Sequence, residues 1–193
     1  MTLTLVFAAF LVASLLTKLW LDGRQAKHVS RHREQVPPAF ADEVSLEQHQ
    51  RAASYTVDKL RFGLIVSAVS TATLIGWTLL GGLHELNQII RDAVFTRWGN
   101  LPYQLALLGA FTFIGGIIDL PLGAWSTFRI EQKHGFNRMT WGMWIGDLIK
   151  QTILGVIIGA PIAALILWLM AAAGQQWWLW AWVSWISFSL LLM

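Results

Sequence analysis

Leu120-Pro121-Leu122-Gly123-Ala124-Trp125-Ser126-Thr127-Phe128-Arg129-Ile130-Glu131-Gln132-Lys133-His134-Gly135-Phe136-Asn137-Arg138-Met139-Thr140 leaves an apolar run, turns charged, and stops at Gly-Phe-Asn. Gly135 suits a helix C-cap, because glycine enters the left-handed region without a Cβ penalty. Asn137 is then placed to bond backbone groups and start the next segment. Pro121 removes a backbone donor and disfavours helix at Leu120, so a kink is expected there. Glu131 lies one turn before the stop, where the helix macrodipole favours cations. Something other than helix stability is expected to keep an acid at that position.

Working outward, the chain is apolar on both sides of this stretch. Its 193 residues are 55% hydrophobic and 13% charged, with a mean hydropathy of +0.54, which is the composition of a membrane protein. Five apolar runs stand out, at about 2–21, 62–83, 103–128, 151–173 and 177–193. A bilayer-spanning helix needs about 20 such residues. The expected fold is therefore all-α, a polytopic integral membrane helix bundle of about five transmembrane spans, forming one transmembrane domain over 1–193. The first run lacks the positive n-region and cleavage site of a signal peptide, so it is read as a retained helix. Lys18 near its end can carry its amine to the interface.

The intervening segments set orientation. Residues 22–61 carry Arg24, Lys27, Arg31, Arg33, Arg51, Lys59 and Arg61, and residues 129–150 carry Arg129, Lys133, Arg138 and Lys150. The segment from His84 to Asn100, expected to be a short loop, has only Arg91 and Arg97. By the positive-inside rule the two basic loops are cytoplasmic and the N-terminus is outside. The same rule explains the net charge of +3 without nucleic acid as a partner; the lipid bilayer is the expected one. The sequence leaves a bacterial inner membrane and an endoplasmic reticulum both open, and compactness favours the first. Within the first loop, Ser45 with Gln48 three residues on forms a capping box. No breaker follows it, so one long helix is expected to start there and continue to Gly81-Gly82. In the fourth run Gly155 and Gly159 form a small-xxx-small face suited to close helix packing. Trp177, Trp178, Trp180 and Trp182 make an interfacial aromatic belt at the start of the fifth. That run reaches Met193 with no polar flank, and the expectation is a chain truncated before a further domain.

Pro-Leu, Thr-Phe, Ile-Glu and Gly-Phe-Asn, in the order given above, resemble the N-terminal membrane domain of the CAAX prenyl endopeptidases, integral-membrane zinc metallopeptidases. A second stretch agrees: Val36-Pro37, Phe40, Ser45-Leu46, His49-Gln50, Ala52-Ala53, Tyr55-Thr56 and Lys59. The resemblance covers roughly residues 20–150. Trp125 departs from it, standing where a tyrosine is expected. The resemblance implies membrane helices that enclose a chamber, and a zinc peptidase domain that this chain docks. Zinc and a peptide or prenylated peptide substrate would belong to the full-length parent. The alternative is a non-enzymatic membrane scaffold or a small transporter module.

None of the family's zinc residues is matched here, so no catalytic and no metal residue is assigned, and no cofactor is expected in this chain. His84-Glu85-Leu86-Asn87-Gln88 lacks the second histidine that would turn two imidazoles to one metal. His28 and His32 have i, i+4 spacing, but the neighbouring arginines and lysine would repel a cation; a face for anionic lipid is expected instead. His49 and His134 are lone histidines with solvated or capping roles. Cysteine is absent, which excludes thiolate chemistry. Three residues remain as chamber-lining or domain-contact positions: Asp119, Glu131 and Asn137. Asp119 is a carboxylate inside an apolar span, facing either a cavity or the interface. Glu131 either pairs with Arg129 or orders the Gly135-Phe136-Asn137 turn against a neighbouring domain; the resemblance favours the second.

Overall fold

Apolar sequence that must satisfy its backbone without water does so as an α-helix or a closed β-barrel, and unbroken apolar runs of about 20 residues fit the helix. The computed structural model describes residues 2–191, and they are all-α. The helices are α1 (Thr2–His32), α2 (Leu46–Thr78), α3 (Gly82–Ile90), α4 (Thr96–Trp98), α5 (Asn100–Trp125), α6 (Trp141–Ala172) and α7 (Trp177–Leu191). Four stretches are long and apolar enough to cross a membrane: α1, α2, Asn100–Glu131 and α6. The helix of the fifth run, α7, is described over 15 residues, and the end of that run, 192–193, lies outside the described residues. The chain divides into two units, one comprising residues up to His84 with Ile117–Arg138, the other Glu85–Gly116 with Met139 onward.

In the first unit α1 and α2 form an antiparallel pair. The helix of the first run does not stop at Leu21 but continues to His32, and its open end is closed by a side chain from α2. His49 Nε2 lies 3.1 Å from the His32 carbonyl, an orphan acceptor at the helix C-terminus. The capping box that opens α2 is present in both directions: Gln48 N–H donates to Ser45 Oγ at 3.2 Å and Ser45 N–H to Gln48 Oε1 at 3.1 Å. From there α2 runs unbroken into its apolar part, as its sequence requires. It ends at Thr78, short of the two glycines, where Leu79 and Leu80 N–H both turn onto the Ile75 carbonyl, at 2.8 and 3.0 Å. Gly81 makes the reversal with φ +82°, and Gly82 opens α3.

In the rest of the first unit, α5 is helical through Pro121. The departure from α geometry comes later, as a π-turn over Ser126–Glu131.

In the second unit, the segment expected as a loop between His84 and Asn100 is helical. α3 is followed by a π-turn at Arg91–Phe95 and then α4. Leu86, Ile89, Ile90 and Val94 recur at helical spacing. The Tyr103 hydroxyl at the start of α5 donates to Asn87 Oδ1, and its ring meets Phe95 edge-on at 5.8 Å. α6 begins at Trp141, ten residues before the apolar run proper, and is capped by Thr140, whose Oγ1 accepts from Met143 N–H at 3.3 Å. α6 packs against α7. Gly155 and Gly159 are exposed, and a Cβ at either would meet nothing within 4 Å, so the close packing expected on that face is not made among the described residues.

Candidate functional site

Arg51, Tyr55, Asp58 and Lys59 are four, three and one residues apart along α2, which places them on one helical face. That face meets the π-turn and the stop that follows it. The two stretches that carry the resemblance, far apart in the chain, are therefore brought together here.

The stop is a Schellman motif. Phe136 N–H donates to the Glu131 carbonyl at 2.8 Å and Gly135 N–H to the Gln132 carbonyl at 3.1 Å, closing the last orphan acceptors. Gly135 holds φ +76° as expected of a C-cap. It is also crowded: a Cβ would stand 2.7 Å from Arg51 Nη2. The guanidinium is there because it donates to the His134 carbonyl at 2.8 Å.

His134 is not solvated. It is 6% exposed, one of four buried residues among those described, with Ile130 another. Its Nε2 lies 2.9 Å from Asp58 Oδ2, and Lys133 Nζ lies 2.6 Å from the same oxygen. The hydrogen bond from Lys133, then that from His134, holds the Asp58 carboxyl below the ordinary carboxylate range, against a smaller opposing effect of partial burial. Asp58 precedes the apolar part of α2. Tyr55 stacks edge-on against the His134 ring at 5.2 Å and the Phe136 ring at 4.9 Å.

Lys59 holds the other half. Its Nζ is 3.4 Å from Ser126 Oγ and 3.6 Å from Glu131 Oε1, and 5.8 Å from the Tyr55 ring centroid. Ser126 and Glu131 are five residues apart. In an α-helix five residues make roughly 1.4 turns, which would point the two side chains apart. The π-turn closes its hydrogen bonds between residues five apart, so it brings them onto one side. The widened turn thus delivers both groups to Lys59. Glu131 pairs with Lys59 rather than with Arg129, and this ion pair across helices accounts for an acid near a helix C-terminus.

Asn137 follows the Schellman stop, and its N–H is a second donor to the Glu131 carbonyl, at 3.2 Å; the cap of α6 is Thr140, not Asn137. Asp119 is exposed on α5, about two turns before the π-turn, and makes no ion pair among the described residues. Sequence inspection missed Asp58. Its signal was available, because it shares a face with the motif residues Tyr55 and Lys59.

Zinc does not fit the side chains present. Among the described residues no three of His, Asp or Glu converge as a metal site. Three of the histidines are already engaged: His32 Nδ1 lies 2.8 Å from the His28 carbonyl, His49 is spent on His32, and His134 is spent on Asp58. The arrangement is an ion-pair and aromatic knot that fixes the exit of α5.

A family model described as CAAX prenyl protease N-terminal, five membrane helices, matches residues 25–193. A CAAX prenyl protease 1 homolog of Arabidopsis thaliana is 30% identical over 190 residues, which is 95% of this chain and 44% of the relative. The human CAAX prenyl protease 1 homolog is 28% identical over 199 residues, 97% of this chain and 41% of the relative. Among solved structures, the crystal structure of S. mikatae Ste24p superposes with a TM-score of 0.88 at 25% identity, covering 97% of this chain and 43% of that one. The chain spans less than half the length of the relatives it matches.

Proposed function

Because the chain belongs to the CAAX prenyl protease N-terminal family, we propose that it is the N-terminal membrane portion of a zinc metalloendopeptidase of that kind. In this role its helices form part of a membrane chamber and dock a catalytic domain supplied by sequence outside this chain. The observation that carries the proposal is the knot between α2 and the π-turn, built from the residues of both family stretches. The knot keeps the α5 exit in one direction, and a docking partner supplies a reason for doing so.

Peptide hydrolysis in the parent would rest on zinc polarising water, and its ligands are sought outside residues 2–191. The substrate is proposed as a peptide or prenylated peptide, and no nucleic acid is involved. Asp119 is proposed to face the chamber, since a carboxylate in a span is costly unless it meets water or a partner. The same residue is the one feature that favours the alternative, a scaffold or small transporter with a polar path. The proposed orientation puts 22–61 and 129–150 in the cytoplasm with the N-terminus outside, and the proposed home is a bacterial inner membrane.

The test pairs two measurements. Glu131→Gln and Asn137→Ala are made in the full-length parent and in this chain. Peptidase activity of the parent is expected to fall more than the thermal stability of the chain. A chain that is strongly destabilised, beside a parent whose surviving molecules keep full specific activity, would make the stretch a structural turn and nothing more.

A further inference from the structure

Between α2 and the α5 exit lies a cleft of about 380 Å³ whose lining includes Arg61, Arg129 and Lys133 together with Phe62, Ile65 and Trp125. Along both helices the sequence puts the basic residues on the polar side and the apolar ones toward the span. Arg61 is the last charged residue before the uncharged run 62–78, and Arg129 is the first basic residue after the span 103–128. Both therefore stand at the same membrane boundary. One turn inward from each guanidinium is an exposed apolar side chain. Ile65 follows Arg61 by four residues and is 53% exposed; Trp125 precedes Arg129 by four and is 55% exposed.

The charges in the cleft do not cancel. Its one carboxylate, Asp58, is taken by Lys133 and His134. Arg61 and Arg129 have no ion pair among the described residues. Two unneutralised guanidiniums at headgroup level, above an apolar slot that opens toward the hydrocarbon, complement a phosphate ester with an acyl chain beneath it. We propose that this cleft is a binding site for one anionic phospholipid, its phosphate between Arg61 and Arg129 and the start of its acyl chain along Ile65 and Trp125. The bound lipid would fill the boundary between α2 and the α5 exit, beside the Asp58 knot.

The experiment uses the detergent-purified chain, loaded with phosphatidylglycerol or with phosphatidylcholine, and counts retained lipid by native mass spectrometry. One phosphatidylglycerol is expected to stay bound, with phosphatidylcholine much weaker. The double variant Arg61→Gln/Arg129→Gln should weaken retention about thirtyfold, the loss expected for two cations at headgroup level, while the control Arg97→Gln leaves it unchanged. Millimolar inorganic phosphate should fail to displace the lipid, because phosphate lacks the acyl chain. Should the double variant fail to fold, Ile65→Trp decides: it fills the slot at an exposed position, keeps both charges, and should weaken retention too. Unchanged retention in a folded double variant or in Ile65→Trp, equal retention of the two lipids, or displacement by phosphate alone would each overturn the proposal.

Discussion

Asp58 shows how one side chain can decide a local structure. It accepts from a lysine and from a buried histidine at once, so removing it strands His134. Asp58→Ala is expected to cost about 1–3 kcal/mol, the range for leaving a buried polar group unsatisfied, read as a lower thermal midpoint in detergent. The carboxyl is held low by its partners, so its contribution is fully present above the ordinary carboxylate value near about 4. It is lost as pH falls through the lowered folded value. Wild-type chain should therefore lose stability more steeply than Asp58→Ala on acidification below about pH 4, and parallel curves for the two would refute the linkage. Gly135 is constrained twice over, by its left-handed backbone and by the guanidinium against it; the first was legible in the sequence and the second was not. A Gly-Phe-Asn stop announces a turn, but nothing local announces that Arg51 will cross to it from 84 residues away.

At the scale of the element, local signals were the dependable ones. Ser45→Ala should remove one half of the capping box and cost about 1 kcal/mol. Amide exchange should then rise in the first turn of α2 and stay unchanged beyond Arg61; faster exchange along the whole helix would contradict the local role. The apolar runs, the box and the glycine stop were all readable because each rests on neighbouring residues. The π-turn at Ser126–Glu131 has no such local signal in the sequence. The segment after Gly82 is harder to read for another reason. Its polar residues, His84, Glu85, Asn87 and Gln88, mask the helical spacing of Leu86, Ile89 and Ile90 that makes the segment an amphipathic helix. The burial of His134 is not legible in the sequence, because no sequence rule pairs it with Asp58, 76 residues earlier.

At the scale of the whole molecule, charge asymmetry predicts topology. Single cysteines introduced at Arg33 and Asn100 should label from opposite sides of the membrane, and labelling of both from one side would remove the orientation proposed here. The site as a whole was less legible than the fold, because it depends on two distant stretches sharing one helical face. That face belongs to α2, and α2 has a property beyond its length. Its 33 residues carry the cap, the knot and the apolar span on a single uninterrupted screw, so the three are locked in phase. One extra residue anywhere between them turns everything on one side by about 100° relative to the other. An alanine inserted between Arg61 and Phe62 should thus rotate Asp58 and Lys59 away from the π-turn while leaving helix content unchanged by circular dichroism. The loss of stability should match that of removing Asp58 and Lys59 together. If the insertion were tolerated without loss, α2 would have to contain a swivel, and the knot at one end would no longer set the azimuth of the span at the other.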